Sequence, residues 1–376
     1  MKKILAMILA LVMCLSLAAC GGGDDAPPAD GDDGEGDAPP ASELNVGVFY
    51  YTFADAYITT VRTAMGDKLN AAGITFQDYD GANNQATQLD QINTAITNGA
   101  NMLIVNIVET SSPDAAQQAC DAAKNAGIPI VFFNREVANE VVNSYENCAF
   151  VGTDAPEAGH MQGEMIGDFL LANYEATDLN GDGTISYVMF KGQEGNAEAE
   201  YRTQFAVEDA NLKLTEAGKP ELSFYNAGNA DKYLVDQAGA WSSQAATDYM
   251  TTILAEYSEA NGNMVELIIA NNDGMAEGAV AALQAAGYNL GNDEDGNPTS
   301  TVIPVYGVDA MDSAVQKIEN GQMTGTVKQD GDGMAETIVS LVKNISDGAA
   351  LMDNTSSLNV DSGVAKIRVP YAKVTA

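Results

Sequence analysis

The stretch Val265-Glu266-Leu267-Ile268-Ile269-Ala270-Asn271-Asn272-Asp273-Gly274-Met275-Ala276 decides how the chain is read. An apolar run breaks off into three polar side chains, and an alanine-rich helical pattern over 276–286 follows at once. A short apolar run bounded by turn chemistry reads as a strand buried on both faces, the kind found in parallel sheets. In an open parallel sheet, side chains just past the carboxyl end of a strand line the ligand crevice. An amide and carboxylate cluster there, with no glycine-rich phosphate loop, suits a ligand rich in hydroxyl groups. The same residues also suit a helix N-cap, because Asn and Asp accept backbone N–H bonds. Both readings stand at this point.

The same unit recurs outward from this stretch. Strand patterns at 46–50, 74–79, 102–105 and 128–133 alternate with helical ones. The first helix carries Tyr57, Val61, Met65 and Leu69 on one stripe and is stopped by Gly73. The second carries Leu89, Ile92 and Ile96, and the third spans 113–126. The cycle restarts with helices at 156–172, 198–217, 242–260, 275–286 and 311–320. Between them lie strands at 185–190, 222–225, 264–270 and 302–306. A helix over 332–346 and a strand over 366–371 close the chain. Repeated βα units of this length predict parallel sheets with helices on both faces. There are too many strands for one small sheet, so the expected α/β architecture is two doubly wound, Rossmann-like lobes.

Ahead of this body, Met1-Lys2-Lys3 and the apolar 4–17 read as an export signal, too short and too early to span a membrane. It ends in Leu17-Ala18-Ala19-Cys20, which resembles a bacterial lipoprotein signal. That resemblance implies cleavage after 1–19 and lipid on the Cys20 thiol, hence an extracytoplasmic, membrane-anchored protein. Residues 20–43 are rich in Gly, Asp and Pro and nearly devoid of apolar side chains, which predicts a disordered acidic tether. The formal charge of −36 argues against nucleic acid and anionic lipid surfaces as partners, although the tether holds part of it. Within the body only Cys120 and Cys148 remain, and they read as buried thiols rather than a disulfide framework.

The residues just after each strand, collected together, form a set. They include Asp55, Asn106, Asn134-Arg135-Glu136, the loop from Lys191 to Asn196, Glu198 and Arg202, then Asn272, Asp273, Asp309 and Gln329. One such residue is routine capping; the whole set predicts facing crevices lined with hydrogen-bonding groups. Carboxylates accept, Arg donates, and amides do both, which matches sugar hydroxyls. Aromatic rings against the C–H faces of a sugar would complete the site, with Tyr57 and the single Trp, Trp241, as candidates.

These residues carry a resemblance over roughly 45–371. Val131-Phe132-Phe133-Asn134-Arg135-Glu136, Phe150-Val151-Gly152-Thr153-Asp154, Ile269-Ala270-Asn271-Asn272-Asp273, Gly307-Val308-Asp309-Ala310 and Arg368-Val369-Pro370-Tyr371 resemble the galactose/glucose-binding branch of the type I periplasmic-binding-protein family. The resemblance implies sugar contacts at Asp55, Asn106, Arg202, Asn272 and Asp309, with stacking rings at Tyr57 and Trp241. It leaves Asn271 and Asp273 to capping. Three sugar positions depart from the family pattern: Asn196 stands for a His, Glu198 for an Asp and Gln329 for an Asn. It also implies a monomer that delivers a hexose to an ABC permease. A chemoreceptor or sensor kinase is the alternative partner, and ribose or xylose an alternative ligand. The lobes are expected at 44–130 plus 330–368 and at 131–329 plus 369–376. Three crossovers near 128–133, 329–331 and 368–370 would form the hinge.

A second motif is Asp178-Leu179-Asn180-Gly181-Asp182-Gly183-Thr184-Ile185-Ser186, which matches the first nine positions of an EF-hand loop. Its twelfth position is Met189 rather than Glu, so alone it reads equally as a polar turn. The resemblance implies a structural calcium ion there, held by Asp178, Asn180, Asp182, Thr184, Ser186 and the distant Glu266. Ser186 replaces a family Gln, which leaves both a direct and a water-bridged contact open at that position. Catalysis is not expected. His160, the only His, lies in a helical stretch, which leaves little material for a Ser–His–Asp or Cys–His arrangement.

Overall fold

The computed structural model describes residues 43–376; the expected signal, the lipid-bearing Cys20 and nearly all of the tether lie outside the described residues. The chain begins with β1 (Asn45–Tyr50), α1 (Ala56–Ala71), β2 (Thr75–Asp80), α2 (Gln85–Thr97) and β3 (Met102–Val105). It continues with α3 (Asp114–Ala126), β4 (Ile130–Phe133), α4 (Asn139–Val142) and β5 (Cys148–Gly152). The second run is α5 (Ala155–Thr177), β6 (Ser186–Lys191), α6 (Ala197–Glu216), β7 (Ser223–Phe224), β8 (Leu234–Val235) and α7 (Ser243–Glu256). Next come β9 (Leu267–Ala270), α8 (Asp273–Ala285), β10 (Val305–Asp309), α9 (Asp312–Glu319), β11 (Gly325–Gln329), α10 (Gly331–Ser346), β12 (Lys366–Arg368) and β13 (Tyr371–Thr375).

These strands form two sheets, ordered β12-β5-β4-β3-β1-β2 and β13-β11-β10-β9-β6-β7, with β8 added beside β6. Every pairing is parallel except β13 against β11. The strands are buried on both faces because helices cover both, so each lobe holds two apolar layers. In the first lobe, Val48, Val61, Met65 and Ile338 pack on one side of the sheet and Phe49, Leu103, Ala119 and Phe132 on the other. In the second, Val188, Ile268 and Val280 face one layer while Met189, Ile269 and Leu170 face the other.

Two sequence expectations are corrected here. The boundary at 131 is too early, because β4 and β5 belong to the first sheet, with Ile104 opposite Val131 and Phe132 opposite Phe150. Their side chains complete both first-lobe cores, so the first crossing falls at Thr153–Asp154 rather than at 128–133. The final strand pattern over 366–371 is two strands in different sheets, since β12 pairs with β5 and β13 with β11. Pro370, which has no N–H to give a ladder, stands between them. The other two crossings, at 329–331 and 369–370, join β11 to α10 and β12 to β13.

One packing feature fixes the helix that carries part of the crevice. Gly159, Gly163 and Gly167 recur every four residues along α5, on one face of that helix. A Cβ at Gly159 would lie 2.5 Å from the Tyr201 carbonyl oxygen, and one at Gly163 2.6 Å from that of Phe205. The glycine row lets the α6 backbone approach within contact distance, so α5 and α6 pack over most of their length.

Candidate functional site

The carboxyl ends of the two sheets face each other across a cavity lined by Tyr51, Asp55, Tyr57, Ile58, Asn134 and Arg135 from the first lobe. Asn196, Glu198, Arg202, Trp241, Asn272, Asp309 and Gln329 line it from the second. The centre of a water-sized sphere can occupy about 40 Å³ of it. At roughly 10–15 Å³ per water that is room for only a few solvent molecules. The space between the lobes is small and lined almost wholly by polar and aromatic side chains.

Each lining side chain is held by its own element. Asp55 caps α1, accepting from the Ile58 N–H at 2.8 Å, while its other oxygen accepts from the Tyr51 hydroxyl at 2.5 Å. Asn196 caps α6 through the Ala199 N–H at 3.1 Å, and its amide donates across the crevice to Thr110 Oγ1 at 3.3 Å. Asn272 caps α8 through the Met275 N–H at 2.9 Å and donates to the Trp241 carbonyl at 3.3 Å. Glu198 accepts the Glu136 N–H from the opposite lobe at 3.2 Å. Arg202 donates to the Asn271 carbonyl and to the Tyr371 hydroxyl, both at 2.9 Å, and to Gln329 Oε1 at 3.4 Å. Arg135 lies 3.5 Å over the Tyr51 ring and donates to the Val108 carbonyl at 2.6 Å.

Burial sets the electrostatics. Asp309 has its carboxyl held well above the usual range by burial, against the pull of Arg202 and with Asp273 and Asp55 adding to the rise. Glu198 is raised in the same way, burial outweighing Arg202. Burial alone would lower Arg202, but Tyr371, Asp309 and Glu198 reverse the direction and keep it a firm cation. The backbone is also strained here: Asn134, Trp241 and Asp309 have φ of 63°, 56° and 126°. Such conformations cost about 1–3 kcal/mol each in a residue with a side chain and concentrate at functional sites.

Five lining residues present a buried polar atom without a protein partner: Tyr57 Oη, Arg135 Nη2, Glu198 Oε2, Arg202 Nε and Trp241 Nε1. Burying a polar atom unpaired costs about 1–3 kcal/mol, so five of them around one cavity leave it rich in groups free to bond a polar molecule.

Of the ten residues expected from sequence to meet the ligand, nine line this cavity. Asn106 does not. It is fully buried, accepts the Tyr51 N–H at 3.3 Å and donates to the Phe133 carbonyl at 3.1 Å and Asn134 Oδ1 at 3.0 Å. Its amide braces the strand ends, and Asn134 presents to the cavity instead. Tyr51, directly after β1, lines the cavity although the sequence set omits it, and Arg135, which the set includes, lines it beside Asn134. His160 lies outside the lining, bonded to Asp209 at 2.7 Å and stacked on Phe205.

The EF-hand-like loop lies at the other end of the second lobe. Asp178 accepts the N–H groups of Gly181 at 2.8 Å and Gly183 at 2.9 Å. Asn180 and Asp182 each accept one loop N–H at 2.8 Å. Glu266 is buried beside the loop and accepts from the N–H groups of Leu179, Asn180 and Ser186 at 2.8, 3.2 and 2.9 Å. The Ser186 hydroxyl lies 3.1 Å from Glu266. The oxygen-only donor set fits calcium in kind and brings Glu266 to the loop. Both Glu266 oxygens are turned onto loop amides, and no three acidic groups converge among the described residues. Cys120 and Cys148 are both buried free thiols, with no disulfide between them.

Residues 46–350 match the model of the periplasmic binding protein domain. The chain is 32% identical over 335 residues to the D-galactose/methyl-galactoside binding periplasmic protein of Haemophilus influenzae, covering 89% of this chain and 90% of that one. In fold it is similar to an ABC transporter solute-binding protein from Clostridium phytofermentans with bound β-D-glucose, at 21% identity and TM-score 0.66, covering 88% and 94% of the two chains. A solute-binding protein from Bacillus halodurans with bound myo-inositol is similar at 22% identity and TM-score 0.65, covering 90% and 96%. With most of its length matched and two sheets facing one polar cavity, the chain belongs to the periplasmic binding protein family, whose members bind solutes and are not enzymes.

Proposed function

We propose that this protein is the sugar-receiving component of an ABC importer, working outside the cytoplasm, and that its ligand is a hexose of the galactose or glucose type. The observation that carries the reading is the set of five unpartnered buried polar atoms, drawn from both lobes around one small cavity. The set holds three N–H donors, one carboxylate acceptor and one hydroxyl, and sugar hydroxyls can accept from the first and donate to the second. The Trp241 ring and the Tyr57 ring offer apolar faces beside them. The relative that is 32% identical is named for binding D-galactose, which favours this ligand class over inositols and furanoses.

The sugar would act as a bridge. Arg135 and Tyr57 reach it from the first lobe, and Glu198, Arg202, Trp241, Asn272 and Asp309 from the second. Contacts made only when both lobes touch the ring stabilise the closed form, and a permease would read that form. Lipid on Cys20 and the acidic 20–43 tether would hold the body near its permease. A structural calcium on the 178–186 loop completes the proposal. It would tie that loop to β9 through Glu266, drawing carboxylate oxygens that now accept loop N–H groups onto the ion, and would perform no chemistry.

Calorimetry against a panel of aldoses, on protein unfolded and refolded to strip carried-over sugar, tests the ligand. D-galactose or D-glucose should bind more tightly than ribose, xylose or myo-inositol. Preference for a pentose or for inositol would refute the hexose assignment.

A further inference from the structure

Part of the second lobe's share of the cavity, from Asn196 to Arg202 and Trp241, is delivered by two loops, 192–196 ahead of α6 and 236–242 ahead of α7. Between their roots lies Lys191, the last residue of β6, which is 1% exposed and does not line the cavity. Its ammonium lies 2.7 Å from Glu194 Oε2 and 2.8 Å from Glu200 Oε2, and 4.3 Å over the Tyr233 ring. Each of these partners holds something further. Glu200 accepts the Gly195 N–H at 2.7 Å with its other oxygen, which closes the loop that delivers Asn196 and Glu198. Glu194 accepts the Tyr233 hydroxyl at 2.9 Å, which pins the segment leading into the second loop.

That second loop is then tied to the same strand. β8 pairs Val235 with Lys191, and the Lys191 carbonyl accepts the Asp236 N–H at 2.9 Å. The Asp236 carboxylate takes both the N–H and the hydroxyl of Ser242 at 2.9 Å, directly after Trp241. Gly192, the residue after Lys191, has no side chain because any Cβ there would collide with the Trp241 ring. A cation this deeply buried requires close partners, and here those partners are the anchors of both loops.

We propose that Lys191 is a positioning residue for the ligand site, one buried ammonium that sets the Asn196–Glu198 loop and the Trp241 loop in register with each other. The inference rests on the cavity being the sugar site, but Trp241 allows it to be tested without sugar. Burial pushes the Lys191 ammonium down and its two carboxylates pull it up more strongly, so it stays charged.

The experiment uses the full chain with K191M, K191R and E200Q, and three readouts. These are the emission of Trp241 in ligand-free protein, its quenching by acrylamide, and calorimetry with D-galactose and D-glucose. Trp241 is the only Trp, so emission reports on that loop alone. K191M should shift emission to the red, raise quenching, and weaken sugar affinity by about tenfold or more, the scale of one lost charged hydrogen bond. K191R should recover most of the emission position. Wild-type emission and quenching in K191M overturn the proposal, even if its melting temperature falls. If K191M does not fold, E200Q decides: a red shift with weaker affinity supports the proposal, and wild-type values overturn it. Failure of the wild-type protein to bind either sugar would count against the ligand reading, while the Trp241 spectra would still decide the role of Lys191.

Discussion

Two polar clusters sit at opposite ends of β9 and treat their polar atoms in opposite ways. At the carboxyl end, Asn272 opens onto a cavity where five buried polar atoms have no protein partner. At the amino end, Glu266 and the 178–186 loop satisfy one another, carboxylate by carboxylate, with backbone N–H groups. Both read in sequence as Asp/Asn/Gly-rich turns after or before an apolar run. The difference lies in where the donors come from. A loop that bends back on itself can fill its own acceptors, whereas groups arriving from two separate sheets converge without pairing. Unpartnered atoms gathered from distant segments mark a ligand; self-bonded ones mark structure, with or without an ion.

The sharpest attempt to break this contrast is R202A. It deletes the bonds to Asn271, Tyr371 and Gln329 and leaves Asp309 and Glu198 without their cation. Affinity for the bound hexose should fall by about 3 kcal/mol, roughly a hundredfold in Kd by calorimetry. Near-wild-type affinity would mean that the cavity is not the sugar site.

The loop should respond in stability rather than in binding. E266Q removes a buried charge that accepts three backbone N–H groups, and should cost about 2 kcal/mol, a fall of a few degrees in Tm. Chelation with EDTA should lower the wild-type Tm and added calcium restore it. A drop in E266Q together with indifference to EDTA would assign the loop to hydrogen bonding alone and dismiss the ion.

A third pair sharpens the comparison at the smallest scale. Tyr50 Oη and Asp78 Oδ1 are also buried without partners, yet neither residue lines the cavity. Burial raises the Asp78 carboxyl to about 6, with Arg62 opposing. A raised acid contributes stability that is present below its unfolded value near 4 and is lost as pH climbs through 6. D78N should flatten that decline, gaining under ~1 kcal/mol at pH 7 after solvent screening, and should leave sugar affinity untouched. A change in affinity would show that unpartnered atoms away from the cavity also matter to the ligand.

Much of this was legible from the residues. Apolar runs ending in polar triplets located the strand ends, and Gly73, with φ of 70°, marked a helix stop. What stayed hidden has physical causes. β4 and β5 are joined by a helix of four residues, Asn139–Val142, too short to carry a 3.6-residue period. Without that signal, β5 was not placed in the first sheet and the crossing was set too early. Asn106 has the right chemistry at the right strand end, but its amide is claimed by Tyr51, Phe133 and Asn134, which only the folded geometry shows. Tyr51 shows as a lining residue only in the folded geometry, where the Arg135 guanidinium rests on its ring.

The glycine row on α5 carries a mechanical consequence. Glu198 and Arg202 stand on the first turns of α6, and that helix is seated backbone-close against α5 at Gly159 and Gly163. A pull on either side chain therefore cannot be absorbed by a local tilt of the helix. It is delivered to the whole lobe, so that a molecule of a dozen heavy atoms works on a long lever rather than on a flexible arm.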